Sequence, residues 1–474
     1  MPPIVAGLSA LALACHTVPA WAHTSDRAFV MLLPTGYYNV GGTFAVLASF
    51  LVLALIPATQ IRRLAMARVV LFELPVVPTT AISGASFAIL VILVAAGWFG
   101  ATDPLANPLP LTVWTLWWVG FTIAQAVFGH LWAALNPWLA PYRLLRRLFA
   151  TPGKRPLAYP DWLGHWPAVI GFAAFAWFEL IDPAPDNAAR LATVATLYTL
   201  ATLAGMWLFG ERDWLAQAEC FSVFFGFVAR LSPLQVGDVE AEPSGRRMVV
   251  LRWPGAALVQ IGALPVSATL FVLLTLATVS FDGLSKTFLW LSLGGINPLE
   301  FPGRSAMIER NTFGLIAGWV ALAAVFALAV VLGAAHAGRG SEARSDLGAF
   351  ALTILPISLG YHLAHYLTTL LVNGQYAVRS FNDPFALGWN LLGLSGRHPH
   401  VSFLADYHAV AAIWAAQAAS VVLGHVLAIL LAHMVAIERY GTTRGALISQ
   451  LPLAVLMIVY TWFGLWLLAT PTAG

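Results

Sequence analysis

Long, almost uninterrupted runs of apolar residues occupy most of the chain from residue 38 onward. Each run approaches the roughly 20 residues that an α-helix needs to cross the hydrocarbon core of a bilayer. Short segments rich in Gly, Pro and Arg separate the runs, and the pattern predicts an all-α, polytopic helical bundle. About ten transmembrane helices are expected, at 38–58, 82–101, 110–136, 163–182, 188–210, 256–279, 312–335, 347–372, 407–433 and 449–469.

Two further apolar segments are too short or too charged to count as spans. The stretch PYRLLRRLF, at 141–149, mixes arginines with leucines and predicts an amphipathic helix anchored at the lipid headgroups. The stretch WLAQAECFSVFFGFVARL, at 214–231, is apolar but bounded by charge. It favours an interfacial or a re-entrant segment.

The composition agrees with a membrane protein. Hydrophobic residues make up 59% of the chain and charged residues only 9%, whereas soluble domains carry roughly 25% charge. The lipid bilayer is therefore the first expected partner, and nothing indicates a nucleic-acid partner. Walker, Rossmann and G-x-S-x-G patterns are absent from the sequence, which argues against an ATP-driven pump and a serine-elbow hydrolase.

The N-terminus has the pattern of a signal peptide. Residues 1–22 contain a short apolar stretch and end in Ala20-Trp21-Ala22, an A-x-A cleavage site. The basic start of a typical signal peptide is missing, so an uncleaved first helix is the alternative. Cleavage would leave 23–474 as a single transmembrane helical domain. It would also remove Cys15, so that no intramolecular disulfide is expected.

The basic residues predict the orientation in the membrane. Loops that the ten spans assign to the cytoplasm contain 17 Lys and Arg residues, and the outer loops contain 7. This division follows the positive-inside rule. It predicts a multi-pass protein of a bacterial inner membrane with both mature termini in the periplasm. The longest periplasmic loops, 280–311 and 373–406, have the length of lids or binding loops.

One predicted span carries a polar stripe, in the stretch ISLGYHLAHYLTTLLVNGQ. Ser358, His362, His365 and Thr369 are spaced by four, three and four residues, which places them on one helix face. Exposure of such a stripe to lipid is costly, so it must face protein, water or a cofactor. Both imidazoles lie in the outer half of the membrane.

Other ionisable groups are expected near the same outer surface. Asp383 lies in the loop 373–406, and His408 opens the ninth span. Three more carboxylates end or follow spans at this surface, namely Glu179, Asp182 and Asp282. Histidine and carboxylate are ligands of Zn, Mn, Fe and Cu. The sequence predicts a divalent metal site with His362, His365, Asp383 and His408 as ligands, and with Asp383 or His408 as catalytic base.

Simpler explanations exist for each of these residues. Histidines in spans also tie helices together through hydrogen bonds or relay protons. Asp383 precedes a proline, which is typical of an Asx turn. His398 and His400 fit solvated loop residues.

A second polar set lies deeper in the membrane. His130 is near the inner end of the third span, and Gln417 and His425 lie on the ninth. They are expected to form a polar path or to tie helices together. His23, if cleavage makes it the N-terminal residue, offers an amine and an imidazole that together bind copper.

Several long stretches of the chain resemble a known family. They include LTVWTLWWVGFTIAQAVFGHLWAALNPW, WLGHWPAVIGFAAFAWFEL, ISLGYHLAHYLTTLLVNGQ, NDPFALGWNLLG and VVLGHVLAILLAH. In order, from about residue 85 to the end, they look like the bacterial multi-span membrane proteins called fenitrothion hydrolases. The resemblance implies an inner-membrane protein linked to hydrolysis of an organophosphorothioate ester with release of a nitrophenol. It implies no particular catalytic residues.

Three functions follow as hypotheses. The first is a metal-assisted membrane hydrolase of hydrophobic organophosphate or phosphorothioate triesters, in which a metal-bound hydroxide attacks phosphorus. The second is a membrane protein that binds or transports a metal such as copper along a histidine-lined path. The third is a haem-binding redox protein. A partner membrane subunit that completes the site is compatible with each of them.

Overall fold

The computed structural model describes residues 35–75, 78–150, 156–238, 246–300 and 303–472. Cleavage after Ala22, the loss of Cys15 and the copper ligand His23 lie outside these residues and stay predictions. The described residues form an all-α helical bundle with one small sheet.

Nine of the described helices are long and apolar enough to cross a membrane, which confirms the predicted fold class. The helices used below are α1 (Thr35–Leu55), α2 (Thr79–Phe99), α3 (Pro108–Phe128), α4 (Leu139–Phe149), α5 (Trp166–Leu180), α6 (Ala188–Phe209), α7 (Cys220–Ala229), α8 (Val266–Ser285), α9 (Arg304–His336), α10 (Gly340–Ser380), α11 (Tyr407–Tyr440) and α12 (Thr443–Ala469). Shorter helices lie at Ala58–Met66, Trp132–Leu135, Ala256–Val259 and Phe288–Ser292.

The helix α5 occupies the fourth predicted span, 163–182, but is shorter than the prediction. Its 15 residues reach about 22 Å at ~1.5 Å per residue, less than the ~30 Å hydrocarbon core. Its two ends nevertheless contact opposite ends of the bundle. The His165 backbone N–H donates to Ser267 at the start of α8, and Arg304 donates to the Asp182 carbonyl at the far side.

The Arg-rich loops meet one another at one end of the bundle, which we call the basic face. Arg62 donates to the Ile437 carbonyl (3.4 Å), and Arg439 forms an ion pair with Asp346. At the other end, called the opposite face, the loop after α8 meets the end of the chain through a bridge between Thr287 and Thr472. Loops that the spans assign to one side therefore contact each other.

A three-stranded antiparallel sheet lies at the basic face and was not predicted. Its strands are β1 (Arg68–Pro75), β2 (Leu234–Asp238) and β3 (Arg246–Arg252), in the order β1-β3-β2. Both β1 and β3 are rich in Val and Leu, and β-branched residues favour strands. The sheet joins two Arg-rich loops that are far apart in sequence.

The segment 214–231 enters the bundle from the basic face and returns to that face. After a π-helical turn at Trp214–Ala218, Glu219 caps α7 by accepting hydrogen bonds from the backbone N–H groups of Phe221 and Ser222. Most side chains of α7 are buried among the other helices. The chain returns to the basic face directly afterwards, where Ser232 donates to the Val127 carbonyl at the end of α3.

The helices α10 and α11 cross in close contact. A Cβ placed on Gly360 would lie 2.4 Å from the Ser420 carbonyl, and one on Gly424 would lie 2.6 Å from the Pro356 carbonyl. Small residues at such crossings allow backbones to approach closely in a membrane. Before this crossing, α10 passes through a 3-10 turn at Leu352–Ile354, and Pro356 lies in the first turn of the α-helix that follows.

Candidate functional site

The two histidines of the polar stripe point to different neighbours. His362 is buried, and its Nε2–H donates to the Trp118 carbonyl of α3 (3.1 Å). The Trp118 ring packs edge-on against the imidazole, with centroids 5.0 Å apart. His362 thus ties α10 to α3, which is one of the roles expected for histidines within spans.

His365 contacts a carboxylate of α8. Its Nε2 lies 2.7 Å from Oδ2 of Asp282. The Lys286 ammonium lies 3.3 Å from Oδ1 of the same carboxylate, one turn along α8. Asp282 keeps 4% of its side chain exposed, whereas His365 keeps 19%. The imidazole therefore lies between the buried carboxylate and more accessible surroundings.

Tyr366 extends this arrangement to a second carboxylate. Its hydroxyl oxygen lies 2.7 Å from Oδ2 of Asp282 and 2.8 Å from Oε1 of Glu179, at the end of α5. Glu179, Asp282, Lys286, His365 and Tyr366 together form what we call the acidic cluster. It lies towards the opposite face, where α5, α8 and α10 meet.

An extra proton in the acidic cluster accounts for its hydrogen-bond geometry. A tyrosine hydroxyl has one proton to donate, and an ionised carboxylate can only accept. Tyr366 cannot donate to both carboxylates, so one of them must itself be protonated. Asp282 faces the Lys286 ammonium and the His365 ring, which favour its ionised form. Both contacts are satisfied when Glu179 is protonated and donates to Tyr366, while Tyr366 donates to Asp282.

A small cavity adjoins the acidic cluster. Its volume is about 20 Å³, enough for one water molecule. Its wall includes Glu179, His362 and Tyr366, together with hydroxyl groups of Ser358 and Thr275. The Oε2 atom of Glu179 is buried and has no hydrogen-bond partner in the described structure. A water molecule in the cavity would satisfy such an atom.

The predicted metal site is not formed. The described residues contain no group of three or more His, Cys, Asp or Glu side chains that could hold a metal ion. Asp383 instead accepts hydrogen bonds from the backbone of its own loop, at Leu387 (2.9 Å) and Gly388 (2.7 Å). His408 is exposed at the start of α11 and packs against Tyr407. Neither residue joins His362 or His365.

The deeper polar set is dispersed as well. Gln417 donates to the Ala364 carbonyl (2.8 Å), which ties α11 to α10. Nδ1 of His425 lies 2.8 Å from the Val421 carbonyl within its own helix. His130 lies at the basic face, where partial removal from water, and then the Arg230 charge, lower its pKa. These three residues form no common path in the described structure.

Sequence reasoning missed Tyr366 and Lys286. Tyr366 directly follows His365, and Lys286 lies one turn after Asp282 on α8. The carboxylates Glu179 and Asp282 were expected at this surface, but the choice among five outer acidic or histidine residues required the helix orientations.

Comparison with protein-family models, with curated proteins and with solved structures finds no match to the chain.

Proposed function

We propose that the protein carries protons within a membrane and is a proton-driven transporter. The observation that supports this is the partly buried chain His365–Asp282–Tyr366–Glu179, held together by contacts of 2.7, 2.7 and 2.8 Å. Ionisable residues inside membrane proteins are costly and mark ion pathways and proton relays. A chain of this kind has no evident purpose in holding helices together, which apolar packing does at lower cost.

The residues have distinct roles in this proposal. His365, the more accessible end, exchanges protons with the opposite face. Asp282 stabilises the imidazolium, and Tyr366 passes the proton by donating on one side while accepting on the other. Glu179 stores the proton beside the small cavity, from which it leaves through water. His362 positions α3 against this cavity and takes no part in proton transfer.

Proton flux into proteoliposomes tests the proposal. A K⁺ diffusion potential set with valinomycin drives protons inward, and a pH-sensitive dye inside the vesicles reports them. Wild-type protein should acidify the interior faster than empty vesicles, and Tyr366→Phe and Glu179→Gln should lose this flux. Tyr407→Phe, at an exposed phenol outside the acidic cluster, is the matched control and should retain it. Equal flux in wild type and Tyr366→Phe would overturn the proposal.

We further propose ten membrane crossings, with α5 as the short fourth one, in a bacterial inner membrane. A cleaved signal peptide and ten crossings place both mature termini in the periplasm, and the basic face in the cytoplasm. The meeting of the Arg-rich loops at one face supports this topology. A reporter fused after Gly474 that is active only in the cytoplasm would contradict it, as would an N-terminal sequence that begins at Met1.

A hydrophobic triester hydrolase is the second candidate function. An apolar pocket of about 460 Å³ lies between α2, α3, α5 and α6 and is lined by Trp114, Trp117, Phe175 and Phe178, among others. Its volume is within the ~300–1,000 Å³ of small-molecule sites. Purified protein supplied with Zn, Mn, Fe or Cu should then release nitrophenol from fenitrothion. Absence of release with every metal would exclude this activity. Metal uptake by the same proteoliposomes would instead favour copper transport.

A further inference from the structure

A second cavity opens at the basic face, on the other side of α7 from the small cavity beside the acidic cluster. Its volume is about 670 Å³, and we call it the vestibule. It lies between the end of α3, the start of α5, and α7, and its wall combines apolar side chains with a set of charged and polar ones. Charged and polar lining residues include His130, Asn136, His165, Glu211, Arg212 and Arg230.

The charges that line the vestibule are unbalanced. Glu211 is its one acidic residue, and both of its oxygens accept hydrogen bonds from Arg143, at 2.8 and 2.9 Å. Arg212 and Arg230 form no ion pair with any residue that the structure describes. Burial lowers the pKa of Arg230, yet a guanidinium stays protonated at neutral pH. Among the residues that the structure describes, the vestibule therefore has a positive charge without a counterion.

Neutral hydrogen-bond donors complete the wall. Burial lowers the pKa of His165, and burial followed by the charge of Arg230 lowers that of His130. Both rings are neutral at pH 7, and each carries one N–H. Nδ1 of His165 is buried without a hydrogen-bond partner in the described structure. Guanidinium groups combined with neutral N–H donors are the groups that bind oxyanions.

Gly226 keeps the vestibule open. It lies in the middle of α7 and lines the cavity, and a Cβ built on it would meet no atom within 4 Å. Alanine is more favourable than glycine in a helix, and the space around this position would accept a larger side chain. Packing therefore does not require glycine here, whereas an open cavity does.

We propose that the vestibule binds an oxyanion of the phosphate class, carried by a small solute or by a lipid headgroup. Arg212 and Arg230 hold the charge, while His130 and His165 donate neutral hydrogen bonds. The proposal does not depend on proton transport, because binding is measured on the purified protein without any flux.

Thermal unfolding in detergent tests the proposal, with inorganic phosphate as the probe and chloride replaced at constant ionic strength. Phosphate should raise the melting temperature of the wild-type protein in a saturable way. Arg230→Gln should weaken the apparent affinity about tenfold or more, because a hydrogen bond to a charged group is worth about that factor. Arg379→Gln, at an exposed arginine of the opposite face, is the matched control and should leave the affinity unchanged.

Gly226→Leu distinguishes a site from a general salt effect. Phosphate also stabilises proteins by exclusion from their surface, and that effect should survive in any folded variant. Gly226→Leu places an isobutyl group in the vestibule from a position where a Cβ meets no atom within 4 Å, so it should fold and lose the saturable shift. An equal shift in Gly226→Leu and wild type would overturn the proposal.

A lipid source is tested in the same way. Wild type in nanodiscs that contain phosphatidylglycerol is compared with wild type in nanodiscs of phosphatidylcholine alone. The site is assigned to a headgroup if phosphatidylglycerol stabilises the wild type, free phosphate does not, and Gly226→Leu loses the stabilisation. Stabilisation by free phosphate assigns it to a solute. Stabilisation by neither would overturn the proposal.

Discussion

The position of the proton in the acidic cluster predicts an asymmetry between two conservative substitutions. Glu179→Gln replaces a protonated carboxyl group by a neutral amide of the same shape, which can still donate to Tyr366. Asp282→Asn removes a negative charge from between His365 and Lys286, which lie 2.7 and 3.3 Å away. Each variant replaces one carboxyl group by an amide. Only Asp282→Asn changes the charge of the acidic cluster.

The magnitudes follow from these contacts. Removing one partner of a buried ion pair typically costs about 3–5 kcal/mol, so Asp282→Asn should lower the free energy of unfolding by roughly that amount. Glu179→Gln preserves the hydrogen bond and the charge balance, and its cost should be less than about 1.5 kcal/mol, the upper range for one neutral hydrogen bond. The difference between the two variants should therefore exceed about 1.5 kcal/mol.

Equilibrium unfolding in mixed micelles measures both free energies, and infrared difference spectroscopy tests the proton directly. Wild type should show a protonated carboxyl band at neutral pH that is absent in Glu179→Gln and present in Asp383→Asn. Asp383 is the control because its carboxylate only accepts hydrogen bonds from its own loop. If Glu179→Gln costs as much as Asp282→Asn, and the carboxyl band persists, the proton is not on Glu179.

Three further predictions concern stability. Tyr366→Phe removes the hydroxyl that both carboxylates contact and should lower the free energy of unfolding by about 2–4 kcal/mol. The same unfolding assay measures this change. No change would mean that these hydrogen bonds are not formed. Gly360→Val places side-chain atoms against a backbone carbonyl, which a Cβ alone would approach to 2.4 Å. It should lower the free energy of unfolding by about 1–3 kcal/mol or more. Gly374→Ala, where a Cβ would meet no atom within 4 Å, should be neutral or stabilising. The pKa values of His130 and His165 in the folded protein lie below the ordinary 6.5. Below pH 6.5 the unfolded chain therefore binds more protons than the folded protein. The free energy of unfolding should be highest above pH 6.5 and fall as the pH drops through 6.5. Replacing both histidines with Gln should flatten this pH profile, and an unchanged profile would refute it.

The sequence was informative about the long apolar helices and about which loops lie together. A run of about 20 apolar residues has few alternatives to a transmembrane helix, and the loops expected on one side do contact one another. The sheet was not predicted because β1 and β3 are short segments of two distant loops. Nothing local in either segment specifies the partner strand, which contact within the folded protein alone determines.

The candidate site was predicted in part. The stripe in α10 and the carboxylates Glu179 and Asp282 were expected at one surface, yet the predicted metal site combined the two histidines of the stripe with Asp383 and His408. Helix periodicity places residues on a face of their own helix, but it does not specify which neighbouring helix that face meets. His362 and His365 lie three residues apart, and this small rotation directs one to α3 and the other to α8.

The acidic cluster and the vestibule lie on either side of α7, and their charges are complementary for transport. Phe224 and Val228 of α7 line the small cavity beside Glu179, while Gly226 and Phe227 line the vestibule, so one helix separates the two cavities. Moving one negative charge against a membrane potential costs about 2.3 kcal/mol per 100 mV. A proton that travels with each negative charge cancels this cost, because the pair is neutral. Taken together, the two proposals describe a proton-coupled anion carrier, with the acidic cluster on one side of α7 and the vestibule on the other.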